Sequence, residues 1–113
     1  MDRTRSLPKG EAFDRAYREG TVVNGPLLVV RWRANDLGRT RWGFAVGKRL
    51  EKRASARNVV RRRLREAARR LPVAEGYDVV VTARARALGA SFGELQAALA
   101  RQLRKAGLLE AGE

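Results

Sequence analysis

The chain has no cysteine and no histidine, and its aromatic residues are few: two tryptophans, two tyrosines and three phenylalanines in 113 residues. Without cysteine it can form neither a disulfide nor a thiolate metal site. Without histidine it lacks the side chain that most often serves as a general base near neutral pH. The 12 acidic residues are scattered, and the closest pairs, Glu11 with Asp14 and Glu75 with Asp78, have no third ligand nearby. We therefore predict no catalytic residue and no metal site in this chain.

Long apolar runs are also missing. No run approaches the 18 residues that a membrane span requires, so we expect no membrane partner. The first 13 residues, MDRTRSLPKGEAF, lack the apolar region of a secretory signal, which favours an intracellular, cytoplasmic location. The length and the apolar content of 44% predict one folded domain over residues 1–113, with loose ends at the first few residues and at 108–113.

What the chain has in excess is positive charge, and this charge is local. Residues 39–70 carry 13 lysines and arginines against only Glu51 and Glu66. The remainder of the chain is nearly balanced, so we predict one binding face for a polyanion. Arginine supplies 21 of the 25 basic residues. Arginine suits phosphate and base contacts better than lysine does, although genome composition explains such an excess equally well.

The hydrophobic pattern predicts the element order α-β-β-β-α-β-α in an α+β fold. Helices are predicted at 9–19, 55–71 and 91–106, and strands at 27–34, 40–47 and 77–83, with a further strand near 21–23. The segment 35–38 is predicted to be a hairpin turn between the strands on either side of it. The strands before and after the second helix would pair in parallel. About four strands with helices on one side form a two-layer α/β sandwich.

The second predicted helix has an apolar arc and an opposite basic arc. Ser55 is its predicted N-cap, and Pro72 ends it. A basic arc is often only a solvated face, but like charges four residues apart repel, and a merely soluble helix would mix its signs. Phosphate binding removes the repulsion. The candidate RNA-binding residues are Lys48, Arg49, Arg53, Arg57, Asn58, Arg61, Arg62, Arg65 and Arg69.

A second candidate site lies on the strand 40–47, where one face is apolar and the other nearly bare. Glycine in a strand indicates close approach either by a ligand or by a tightly packed helix, and both interpretations stay open. Aromatic rings on the first helix suit stacking on unpaired bases, although core packing is the commoner role of such rings. The candidate cleft residues are Phe13, Tyr17, Arg31, Arg33, Arg41, Gly43, Ala45 and Gly47.

Three motifs in the chain resemble those of the protein subunit of bacterial ribonuclease P. They are R-x-G-F-A-V-G-K-R at 41–49, A-x-x-R-N-x-x-R-R-x-x-R-E at 54–66 and D-V-V-V-T-A-R at 78–84. The resemblance covers roughly residues 7–105. The chain departs from the family's Arg-Asn-Arg motif at Val59, from its Ser-Lys-Lys motif at Gly47, and from a strand aromatic at Arg31.

The resemblance implies a ribosomal protein S5 domain 2-like fold whose strand-helix-strand crossover is left-handed. It implies a non-catalytic subunit whose basic helix binds the ribonuclease P RNA and whose cleft holds the single-stranded 5′ leader of precursor tRNA. The RNA would perform the magnesium-dependent removal of that leader, so Mg²⁺ is expected in the RNA–protein holoenzyme and no cofactor or small-molecule substrate in the protein itself.

A structural RNA-binding protein of the ribosome is the alternative function. Both functions predict salt-sensitive RNA binding, and leader cleavage distinguishes them.

Overall fold

A computed structural model describes residues 5–110 of the chain. Three α-helices, four β-strands and one short 3₁₀ helix follow one another along these residues. Their bounds are α1 Glu11–Glu19, β1 Thr21–Asn24, β2 Leu28–Ala34, β3 Arg41–Ala45, α2 Ala54–Arg69, β4 Tyr77–Ala83, the 3₁₀ helix Ala85–Gly89 and α3 Phe92–Ala106. The predicted α+β class and element order are confirmed, including the first strand near 21–23. The 3₁₀ helix was not predicted.

The four strands form one sheet in the order β1-β2-β4-β3. β4 pairs antiparallel with β2 and parallel with β3, where Gly43 lies opposite Val80. The parallel pairing across α2 is therefore confirmed, but the predicted hairpin of β2 and β3 is wrong because β4 lies between them. The sequence of β4 explains its place, since a nearly continuous apolar strand is stable where both of its faces and both of its edges are covered.

The two faces of the sheet are covered unequally. On one face α2 and α3 pack over β2, β3 and β4, and Leu28, Val30, Val79 and Val81 lie in the main core with residues of both helices. On the other face α1 forms a small cluster of Leu7, Ala16 and Val80, with Ala12 and Phe13 packed against it. The expectation that all helices lie on one side is therefore wrong for α1, whose single narrow apolar stripe covers the opposite face.

The helix ends show which local signals decide the boundaries. α2 begins one residue earlier than predicted, with Arg53 at the N-cap and no side-chain capping bond, so the predicted Ser55 cap is wrong. α3 has the predicted capping box, in which the Ser91 hydroxyl accepts a hydrogen bond from the Glu94 N–H and the Glu94 carboxylate accepts one from the Ser91 N–H. Gly107 then ends α3 with a left-handed φ of 78°, a conformation that favours glycine.

The C-terminal segment turns back onto the fold after α3. Leu108 is 1% exposed, and Leu109 bridges to Val73, so the predicted loose end does not begin at residue 108. The remaining parts of that prediction, and the ends of the predicted domain 1–113, lie outside the described residues. None of the helices in residues 5–110 has the length and apolarity needed to cross a membrane.

Candidate nucleic-acid interface

The turn between β3 and α2 is fixed by an arginine of the helix itself. Arg57 is 9% exposed, and its Nη1 donates to the backbone carbonyls of Glu51 and Lys52, each at 2.8 Å. The carbonyl of Gly47 accepts hydrogen bonds from the N–H groups of Leu50 and Glu51 at 3.1 and 3.2 Å. Arg57 therefore points inward and holds this turn from inside, whereas the sequence placed it among the residues that contact RNA.

A carboxylate completes the same turn. Glu51 accepts from the backbone N–H of Arg53 at 2.9 Å and from its guanidinium at 3.1 Å. These hydrogen bonds lower the pKa of Glu51 to about 2, so the pair stays ionised at neutral pH. The turn exposes four cationic side chains next to the start of α2. They are Lys48, Arg49, Lys52 and Arg53.

The outward face of α2 carries cations that have no acidic partner among the described residues. Arg62 and Arg65 are exposed, and Arg61 donates to the Oδ1 of Asn58, which orients its guanidinium. Glu66 is paired instead with Arg69 and Arg70, and those bonds lower its pKa to about 2. We call Asn58, Arg61, Arg62 and Arg65 the α2 stripe. It is an uncompensated cationic surface, whereas Arg69, which the sequence placed on the same arc, is paired with Glu66.

On the other face of the sheet α1 and β2 form a stack of planar groups. The rings of Phe13 and Tyr17 lie 6.5 Å apart with an interplanar angle of 12°. The guanidinium carbon of Arg31 lies 4.1 Å from the centroid of the Tyr17 ring. Tyr17 remains 46% exposed. The structure thus brings three predicted cleft residues together, and Tyr17 leaves part of this planar surface exposed, which suits stacking on bases.

Gly43 settles how the bare face of β3 is used. A Cβ at this position would lie 2.9 Å from Cε2 of Phe13. The missing side chain therefore lets α1 pack closely on the sheet, and Gly43 itself is buried. Ala45 is half-buried, whereas Gly47, just beyond the end of β3, is exposed and lies beside open space.

Arg33 and Arg41 lie at the other end of this face. Arg41 forms two hydrogen bonds of 2.9 Å with the carboxylate of Asp78, and Asn35 donates to the same carboxylate at 2.9 Å. Asp78 is 3% exposed; burial raises its pKa, but these hydrogen bonds outweigh that effect and the pKa is lowered. Arg41 is therefore engaged in a buried ion pair. Arg33 lies beside it and is half-buried.

A groove at the edge of β3 connects the two sides of the sheet. The N–H of Leu7 donates to the Trp42 carbonyl at 2.8 Å, which covers only the first part of this edge strand. Beside it a cavity of about 150 Å³ reaches from Phe13 on α1 to Arg65 on α2. The guanidinium of Arg65 lies 5.9 Å from the Phe44 ring centroid. We call this cavity the edge groove, and its further lining residues are Ser6, Leu7, Lys9, Trp42, Gly43 and Phe44.

Of the residues that line the edge groove, the sequence identified only Phe13, Gly43 and Arg65 as site residues, and Lys9 and Phe44 are among those it missed. Phe44 shares the apolar face of β3 with Trp42, so its alternation indicated only core packing. Its position at a sheet edge could not be read from the sequence while β3 was expected to pair with β2. Lys9 precedes α1 by two residues, and only the packing of α1 on Gly43 brings it near β3.

The fold and these surfaces define a small basic α+β protein with a cationic helix face beside a stack of planar side chains. A family model described as Ribonuclease P matches residues 1–107. The chain belongs to this family of ribonuclease P proteins.

Named relatives agree with this assignment over nearly the whole chain. The ribonuclease P protein component of Roseiflexus castenholzii is 38% identical, over 97% of this chain and 92% of that protein. The protein of the same name from Symbiobacterium thermophilum is 40% identical, over 97% of each. Among solved structures, the RNase P protein of Staphylococcus aureus superposes with a TM-score of 0.83 at 27% identity, covering 94% of this chain and 98% of that one. The RNase P protein of Thermotoga maritima gives a TM-score of 0.81 at 25% identity, with the same coverage.

Proposed function

We propose that this chain is the RNA-binding, non-catalytic protein subunit of ribonuclease P, and that it assists removal of the 5′ leader from precursor tRNA. The observation that carries the proposal is the α2 stripe, whose arginines lack acidic partners among residues 5–110 and adjoin the exposed cations of the β3–α2 turn. Such a surface is electrostatically unfavourable by itself and is stabilised when phosphates bind to it. The ribonuclease P RNA would occupy this surface.

The second part of the proposal concerns the leader. A single-stranded leader would lie along the stack formed by Phe13, Tyr17 and Arg31 and continue into the edge groove. Unpaired bases stack on aromatic rings and on guanidinium planes, and the exposed ring of Tyr17 offers such a face. Ala45 and Gly47 would leave room for the strand at the end of β3. Arg41, which is held by Asp78, would support this surface rather than reach the RNA.

Hydrolysis would be performed by the RNA subunit. Within the described part of the chain, no three acidic side chains come close enough together to hold a metal ion. The acidic groups therefore do not fit a resident Mg²⁺ site, and the magnesium expected in the holoenzyme would be held with the RNA. The contribution of this chain is to bind the RNA and to position the leader.

Reconstitution tests the proposal. Adding the protein to a bacterial ribonuclease P RNA at low magnesium should restore cleavage of the leader from precursor tRNA. Binding of about five phosphates should give a slope of roughly −3.5 to −4.5 in a plot of log K against log salt concentration. Arg62→Gln should weaken this binding more than the matched change Arg101→Gln on α3. An absence of rescue together with tight binding to ribosomal RNA would indicate the alternative ribosomal function.

A further inference from the structure

A second aromatic and cationic pocket lies on the outer side of the helical layer, where α2 meets the beginning of α3. It has a volume of about 340 Å³. Its lining residues are Arg62, Arg63, Glu66, Arg70 and Phe92. None of these residues lines the edge groove. Arg62 is shared with the α2 stripe, so the cationic surface continues around the helix from the stripe into this pocket.

The planar groups of this pocket are held in place by the fold. The guanidinium carbon of Arg70 lies 5.0 Å from the centroid of the Phe92 ring. Nε of Arg70 also donates to the carboxylate of Glu66 at 2.9 Å, which fixes its orientation. Nη1 of Arg63 donates to the carbonyl of Ala90 at 3.3 Å. Two arginines and one ring are thus pre-positioned before any ligand binds, which lowers the entropic cost of binding.

The charge of the pocket favours a phosphate ligand. Three arginines face one carboxylate, and that carboxylate is already bonded to Arg69 and Arg70. Arg62 is exposed and has no partner among the described residues. The Ser91–Glu94 capping box already occupies two of the N–H groups at the start of α3, so the arginines provide the phosphate contacts.

We infer that this pocket binds one unpaired nucleotide of the RNA that occupies the α2 stripe. The base stacks against the Phe92–Arg70 pair, and Arg62 and Arg63 contact the adjoining phosphates. A protein partner fits less well, because the apolar lining consists of a single ring surrounded by cations. The inference rests on the proposed function and adds a contact on the side of α2 away from the leader.

Binding of a bacterial ribonuclease P RNA, measured at several salt concentrations, tests this assignment. Phe92→Leu keeps an apolar side chain but removes the stacking face, so it should weaken binding by roughly 5- to 100-fold. In this variant the slope of log K against log salt concentration should stay unchanged, because no phosphate contact is lost. Arg62→Gln should reduce that slope by roughly 0.7 to 0.9. Arg101→Gln removes an equal charge from α3 outside the pocket. It should change both the RNA affinity and the salt slope little.

Two further variants keep the test independent of folding. Arg70→Lys retains the positive charge but replaces the planar guanidinium with an ammonium group. It should weaken RNA binding if stacking contributes to affinity. A benzoylphenylalanine in place of Phe92 should crosslink to an unpaired nucleotide of the RNA, whereas the same group at the exposed position of Ala97 should not. Wild-type affinity in Phe92→Leu, or crosslinks only to paired regions, would overturn the pocket assignment. Failure of the wild-type protein to bind this RNA would instead count against the proposed function.

Discussion

The two faces of the sheet are covered by different kinds of residue. Under α2 and α3 lies a continuous core of leucine, valine and alanine side chains, joined by Trp42. Under α1 the buried cluster contains three of the described residues, and the planar side chains beside it remain partly accessible. The first face provides most of the apolar burial that stabilises the fold. The second face is left open enough to bind a ligand.

The same division recurs on α2 itself. Arg57 points inward and satisfies two backbone carbonyls of the preceding turn. Arg62, five residues later, is exposed and forms no hydrogen bond or ion pair with another described residue. Residue type alone therefore does not separate an exposed, unpaired arginine from a structural one. The separation depends on where the neighbouring loop lies.

The largest effect should come from truncating leucines on the two faces. Leu64 is fully buried in the main core, so Leu64→Ala should lower the free energy of unfolding by about 2–5 kcal/mol. Leu7→Ala in the small cluster should cost less, below about 2 kcal/mol, because its site borders the edge groove and can relax. Urea unfolding measures both, with Leu37→Ala at an exposed turn as the control. Equal losses at the two sites would contradict the unequal roles of the faces.

The next largest effect separates the two arginines. Arg57→Ala leaves the carbonyls of Glu51 and Lys52 without their donor and should cost about 1–3 kcal/mol of stability. Arg62→Ala should change stability by no more than about 0.5 kcal/mol. RNA binding should show the opposite order. The slope of log K against log salt concentration should become shallower in Arg62→Ala and change less in Arg57→Ala. A large stability loss in Arg62→Ala would show that its side chain is structural after all.

The open face can be tested at its most exposed ring. Tyr17→Ala should weaken binding of precursor tRNA to the reconstituted holoenzyme by roughly 5- to 100-fold and leave binding of mature tRNA nearly unchanged. Tyr17→Phe keeps the ring and should behave like the wild type. Competition binding with the two tRNAs provides the measurement. Equal weakening for precursor and mature tRNA would mean that Tyr17 makes no contact with the leader.

The smallest effect concerns Glu75, which joins the N-terminal segment to the loop before β4. Its carboxylate accepts from the guanidinium of Arg5 at 2.6 and 2.7 Å and from the Thr40 N–H at 2.9 Å, and these bonds lower its pKa to about 2. The stabilisation should be fully present above about pH 4.5 and lost as the pH falls toward 2. Because the Arg5–Glu75 pair is exposed to solvent, we expect it to contribute less than about 1 kcal/mol to the free energy of unfolding.

Glu75→Gln tests this contribution. The stability difference between wild type and variant, measured by urea unfolding, should be largest near pH 7 and should shrink as the pH approaches 2. Glu19→Gln on α1 serves as the control for removing one carboxylate. A difference that stays constant over this range would contradict the assignment of the pKa shift to Glu75.

Local signals in the sequence predicted most elements of the fold. The bounds of β4 were predicted correctly because its apolar run is nearly continuous and is preceded by Gly76. The capping box fixed the start of α3 for the same local reason. Strand pairing is not local. The turn at 35–38 was read as a hairpin because no signal within it shows that a strand from residues 77–83 will lie between β2 and β3.

The candidate site was predictable to a similar extent. Helical periodicity separated the outward Arg62 from the buried Leu64. It could not show that the turn at 47–53 folds back onto Arg57, because a helix projection contains no loop. The alternation of β3 likewise identified Gly43 as unusual, but only the packing of Phe13 decided between a ligand and a helix.

The central position of β4 also has a consequence for how the chain acquires its structure during synthesis. β2 and β3 do not pair with each other, because β4 lies between them. The two parts of the sheet therefore stay separate until residues 77–83 have left the ribosome. The contacts that unite the strands connect distant parts of the sequence, and such topologies form slowly. A nascent chain that ends before β4 would carry the cationic segment of α2 without the sheet that orders it. A defined surface on α2 is therefore acquired late, only after β4 has emerged and joined the two parts of the sheet.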